Sequence, residues 1–126
     1  MKQITTFFGM ICLLLSLKAS AQVYVNQINI NELPIVYCQL TGVSNERDLI
    51  RQDADVWIDY GQRSPYQTRN KIAGADRKML RFNSVVAALN FMIANGWELV
   101  SLHVTSEEDG DSDQFIYLLK KKTEPK

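Results

Sequence analysis

Three groups of side chains in this 126-residue chain have residue types that could do chemistry. The first is Cys38 with His103. Once the N-terminal leader described below is removed, they are the only thiol and the only imidazole, and a nucleophile–base pair needs one of each. Cys38 shares strand parity with Val36 and Leu40, which points it into a core as a small hydrophobe. His103 follows the parity of Leu99 and Ser101, on a strand with no obvious carboxylate to orient it. The second group is Asp55, Trp57 and Asp59, on one face of a short strand. A tryptophan flanked by carboxylates can act as a sugar-stacking platform. Hydrolysis by this pair fails on distance: Asp55 and Asp59 stand about 13 Å apart at the usual rise per residue, whereas paired glycosidase carboxylates sit roughly 5–9.5 Å apart. The third group, Asp109, Asp111 and Asp113, has the spacing that starts a calcium loop. Gln114 stands where the turning glycine belongs, however, and Lys120 where the bidentate glutamate belongs, so the segment reads as a solvated hairpin tip. No catalytic residue, metal site or cofactor motif is assigned.

The elements that position these residues begin after residue 21. Lys2 precedes an eleven-residue, mostly apolar run from Phe7 to Leu17, and Ala19, Ser20 and Ala21 supply the small residues of a cleavage site. Residues 1–21 therefore read as a secretory signal peptide, the run being too short for a permanent anchor of roughly 20 residues. Export to the periplasm is expected, with release outside the cell as the alternative. Cys12 leaves with the leader, so Cys38 has no partner for an internal disulfide. The remaining 105 residues suit one domain over 22–122 with a tail at 123–126. Without Lys2 and Lys18, 12 basic side chains face 14 acidic ones, a net charge of −2 that gives no reason to expect nucleic acid or an anionic membrane as partner. No second apolar run approaches spanning length, so the mature domain is expected to be soluble.

Apolar alternation predicts strands over Val23–Ile30, Ile35–Leu40, Val56–Tyr60, Trp97–Thr105 and Gln114–Lys120. Between the third and fourth lies 62–78, with Pro65, Gly74, five basic residues and one acid, read as a solvated loop, with a short strand or a functional excursion within it as the alternatives. A helix follows, with Asn83 as N-cap, Phe82 placed to staple its first turn, and Asn95 with Gly96 as its stop. Stepping 100° per residue groups Val85, Val86, Leu89, Met92 and Ile93 on the core side. No charge occurs from Asn83 to Gly96, and Ala87, Phe91 and Ala94 lie opposite that stripe. Three covers fit this face: a partner, a second copy, or the basic 62–81 segment folding back.

The helix from Asn83 to Asn95, the junction Gly96, Trp97, Glu98, Leu99 and Val100, and the hairpin ending Tyr117 to Lys122 together resemble a widespread bacterial family of small domains of unknown function. Residues 23–30 and 59–62 are similar to exported members from Gram-negative anaerobes. The resemblance implies an α+β fold with one helix on an antiparallel sheet and no assigned activity; Gly96 and Trp97 match its signature as a helix cap and a packing group.

The resulting expectation is an α+β domain of about five mainly antiparallel strands with one long helix packed on one face of the sheet. Its expected role is a non-catalytic envelope module that binds a protein or glycan partner, through Asp55, Trp57 and Asp59 or through Ala87, Phe91 and Ala94. The alternatives are a small hydrolase using Cys38 and His103, and a structural envelope protein that self-associates.

Overall fold

The computed structural model describes residues 21–44, 53–63, 70–106 and 112–123. All of the leader except Ala21, the tail from residue 124, and Asp109 and Asp111 of the acidic turn lie outside the described residues. In chain order the elements are β1 (Tyr24–Val25), β2 (Ile28–Asn29), β3 (Tyr37–Val43), β4 (Asp55–Asp59), β5 (Ile72–Ala73), α1 (Val85–Ala94), β6 (Trp97–Ser106) and β7 (Asp113–Lys121). They form two antiparallel sheets, ordered β2-β1-β5 and β4-β3-β7-β6.

The expected α+β architecture of about five strands and one long helix is thereby overturned. Among the described residues there are seven strands in two sheets and one helix of ten residues, so the molecule is mostly β. Two local features cause the difference. Asn26 and Gln27 both adopt positive φ (51° and 66°), the geometry of a two-residue hairpin turn, and so split the single strand expected over 23–30 into β1 and β2. Asn70, itself buried, accepts a hydrogen bond from the Asn26 side chain and fixes that turn. The segment read as a loop then returns as β5 to pair with β1. The Arg77 guanidinium stacks 5.2 Å from the centre of the Tyr24 ring.

The core lies between the four-stranded sheet and the layer formed by α1 and the small sheet. Cys38 and Leu40 of β3, Val56 and Ile58 of β4, and Tyr117 and Leu119 of β7 are buried, as period-two alternation requires. Against them pack Val85, Ala88, Leu89 and Met92 of α1, with Val23, Val25, Ile30 and Ile72 from the small-sheet region. This stripe is rotated from the expected one: Val86 and Ile93 are exposed and Ala88 takes their place. The cause is the close approach of helix to sheet. A Cβ on Gly42 of β3 would lie 2.5 Å from Cγ1 of Val85, so the missing side chain is what lets α1 sit down at Val85.

The helix begins one residue later than expected. Ser84, not Asn83, is the N-cap, its Oγ accepting from the Ala87 amide at 3.0 Å. At the other end Gly96 takes φ 92°. Around this end asparagine side chains tie the start of the domain to the helix. Asn31 donates to the Asn95 carbonyl at 2.7 Å and accepts from the Val23 amide at 3.1 Å. Asn95 Oδ1 accepts from the Gln22 amide at 3.4 Å. The lysine run at 120–122 is bound in. Lys120 and Lys121 end β7, and the Lys121 and Lys122 amides donate to Val36 and Gly96 carbonyls at 2.8 Å each. Lys121 Nζ donates to the Leu33 carbonyl at 2.7 Å and lies 5.6 Å from the centre of the buried Trp97 ring.

Candidate functional site

Strand parity and register divide the four-stranded sheet into a face under α1 and an open face. On the open face β4 contributes Asp55, Trp57 and Asp59, and β3 contributes Gln39, Thr41 and Val43. Across the sheet, β7 adds Gln114, Ile116 and Leu118, and β6 adds Ser101, His103 and Thr105. The register aligns Trp57, Thr41, Ile116 and His103 in one row crossing all four strands. Thr41 in mid-row is buried, Trp57 and Ile116 are half-buried, and His103 is exposed. Leu118 and Tyr37 add exposed apolar surface on the same side.

The carboxylates beside Trp57 have local partners. Asp55 forms an ion pair with Lys71, from the segment leading into β5. Asp59 Oδ1 accepts from the Gly61 amide at 2.8 Å, in a turn where Gly61 takes φ 94°. Gln62 closes the same turn, accepting from the Tyr60 amide at 2.7 Å and donating to the Ile58 carbonyl at 2.9 Å. The strand face expected from the sequence therefore exists, with both acids held in place and Trp57 between them. No family model matches the chain, and no curated protein or solved structure matches it.

The structure separates Cys38 from His103. Cys38 is 2% exposed on the helix side of β3, whereas His103 projects from the open face of β6, two strands away. Two strand spacings and three residues along the sheet put them roughly 14 Å apart, on opposite faces. Burial pushes the Cys38 thiol up to about 12; nearby Lys121 pulls it down and Asp59 pushes it further up. A thiol so held is neutral at physiological pH and is no nucleophile. The hydrolase reading built on this pair has no geometric basis.

The other expected surface, Ala87, Phe91 and Ala94, is mostly not free. Phe91 packs on Phe82 with ring centres 5.7 Å apart at 56°, and Ala87 is half-buried; only Ala94 is exposed. The cover is the residue that follows the basic 62–81 segment, held there by the Ala54 amide donating to the Phe82 carbonyl at 2.9 Å. Of the acidic turn, the described Asp113 accepts from Ser106 Oγ at 2.9 Å across the hairpin. Among the described residues no three His, Cys, Asp or Glu side chains gather to hold a metal ion, and no helix is long and apolar enough to cross a membrane.

Sequence reasoning expected the outer strand over Trp97–Thr105, and it forms as Trp97–Ser106, but the exposure of its apolar side chains was missed. Leu99, Val100, Leu102 and Val104 of β6 are 45–51% exposed, although their alternation reads as a half-buried strand. The register shifts between Leu99 and Ser101, leaving Val100 as the extra residue of a bulge. The signal available in the sequence was chemical: from Trp97 to Ser106 there is no proline and no lysine, the residues that usually blunt an edge.

Proposed function

We propose that this chain is a non-catalytic binding module of the cell envelope that takes a partner protein on the open face of its four-stranded sheet. Export rests on the leader pattern of residues 1–21, and membership of the small bacterial domain family rests on the helix–Gly96–Trp97 junction and the lysine-ended hairpin. The observation that carries the binding reading is the cross-strand row Trp57, Thr41, Ile116 and His103, bordered by the exposed Leu118 and Tyr37. A sheet face that combines aliphatic centre, aromatic groups and hydrogen-bonding rim has the make-up of a protein-binding patch, where aromatics are enriched and charge is depleted at the centre. The test is photocrosslinking in intact cells from a reactive residue placed at Leu118, with Met79, 68% exposed and outside the sheet, as control. One dominant adduct from position 118 and none from 79 supports the reading. Equal or absent labelling at both positions defeats it.

A glycan is the second reading, favoured by Trp57 between Asp55 and Asp59. Trp97 is fully buried, so an exposed-face ligand should perturb the fluorescence of Trp57 alone. A glycan titration that quenches the wild-type protein but not a Trp57→Phe variant would move the assignment from protein to sugar.

A further inference from the structure

The two edges of the four-stranded sheet are finished differently. Along β4, the Ala54 amide donates to Phe82, the Ile58 amide donates to the Asn70 carbonyl at 2.9 Å, and Asp55 is paired with Lys71. Along the outer side of β6, no backbone hydrogen bond is made among the described residues. The helix does not shelter this edge. Ten helical residues span about 15 Å and ten strand residues about 33 Å, so α1 stops short of covering β6 even where it packs beside it. An unpaired, apolar edge without proline or lysine is a template for another strand.

We propose that β6 pairs antiparallel with β6 of a second copy of this chain, joining two four-stranded sheets into one of eight. The register follows from the pleat. Beyond the bulge, Leu102 and Val104 lie on the helix side of the sheet, opposite Tyr117 and Phe115 of β7, while Ser101, His103 and Thr105 lie on the open side. A two-fold axis normal to the sheet keeps each face on its own side, so only pairings of like parity are allowed. The register centred on His103 satisfies this. It sets Leu102 against Val104 of the second copy, Ser101 against Thr105, and each His103 against its equivalent. The seven-residue overlap from Val100 to Ser106 leaves out Glu98, the one carboxylate of the strand, so no acids face each other.

The area sets the strength. Seven strand residues span about 23 Å, and the sheet alone is about 10 Å deep at this uncovered edge, so each copy contributes roughly 230 Å². That total of about 460 Å² lies far below the standard size for stable complexes, so the pairing is weak and reversible and rests chiefly on main-chain hydrogen bonds. The pairing also runs the open faces of the two copies together, which places two ligand surfaces side by side; it does not depend on what, if anything, those faces bind.

The test is sedimentation of the purified chain under reducing conditions, together with oxidative crosslinking of variants that place one exposed cysteine on β6 in a Cys38→Ala background. The expected result is a monomer–dimer equilibrium detectable below about 500 µM, weakened at least tenfold by Leu102→Lys. Because Leu102 is half exposed, this variant should keep the wild-type circular dichroism. His103→Cys should give a covalent dimer; Ser101→Cys and Thr105→Cys should give one only when mixed. A monomer at 500 µM, a dimer indifferent to Leu102→Lys, or crosslinking from Ser101→Cys alone as efficient as from His103→Cys would each overturn the proposal.

Discussion

The buried Cys38 thiol makes folding stability depend on alkaline pH in a way that can be worked out in advance. In the unfolded chain this thiol ionises near 9.0; in the fold, desolvation pushes it to about 12. Between these values the unfolded state has lost the proton and the native state keeps it. The proton difference, unfolded minus native, is therefore −1, and unfolding becomes easier as pH rises. The contribution of Cys38 is fully present below pH 9 and is lost at about 1.4 kcal/mol per pH unit above it. Lysines and tyrosines titrate in the same range, so the quantity to measure is the difference between wild type and Cys38→Ala. The variant removes one sulfur from a packed site, a cost of about 1 kcal/mol that should not vary with pH. Urea unfolding under reducing conditions at pH 8, 9, 10 and 10.5 gives both curves. By pH 10.5 the wild type should have lost about 2 kcal/mol more than the variant. In the native protein at pH 8, a thiol reagent should label Cys38 only at the rate of unfolding. Parallel pH curves, or rapid labelling of the native protein, would refute the claim that Cys38 is a neutral core residue and would reopen the thiol-enzyme reading.

Three further substitutions probe the joints of the fold. Gly42→Ala drives a methyl group into Val85, so α1 must lift from β3, with an expected loss of about 1–3 kcal/mol in urea unfolding. Ser84→Ala removes the side-chain acceptor for the Ala87 amide and should cost about 1 kcal/mol, whereas Asn83→Ala should cost much less. A double-mutant cycle on Phe82→Leu and Phe91→Leu should show a coupling of about 0.5–1.5 kcal/mol; additive effects would mean that the two rings are not a unit.

How much of this could be read from residues alone depends on the range of the interaction that decides each feature. The long strands were legible, because alternation in Tyr37–Val43, Asp55–Asp59 and Asp113–Lys121 is local and each is buried on its helix-side face. The stop at Gly96 was legible for the same reason. The β1–β2 turn was not: Asn26 and Gln27 lack the glycine that marks a tight hairpin, and the turn is held by Asn70, 44 residues away. Helix rotation was misread by one position because it is set by the space above Gly42, a property of a distant strand. Of the candidate site, the shared face of Asp55, Trp57 and Asp59 follows from parity. The row that extends it to Thr41, Ile116 and His103 follows only from register, which no single strand encodes.

The exposed β6 residues and the occupied Phe91 have a common origin in how far one short helix can reach. An apolar stripe tells which side of an element seeks cover, but the cover itself is a matter of length and placement. Here α1 is seated toward β3 at Val85, where Gly42 admits it, and Phe82 closes over its flank at Phe91. Moving the helix toward β6 to shelter Leu102 and Val104 would lift Val85 from Gly42 and open the contact between Phe82 and Phe91. The fold thus covers the β4 side of the sheet and the start of β6 at Trp97, and leaves β6 open from Leu99 onward. A chain that needed both sides closed would carry a longer helix or a lysine on β6, and this one carries neither. If Leu102→Lys raised the stability of the monomer while abolishing association, the apolar edge would be shown to persist at a cost to folding, as expected of a surface retained for pairing rather than for the core.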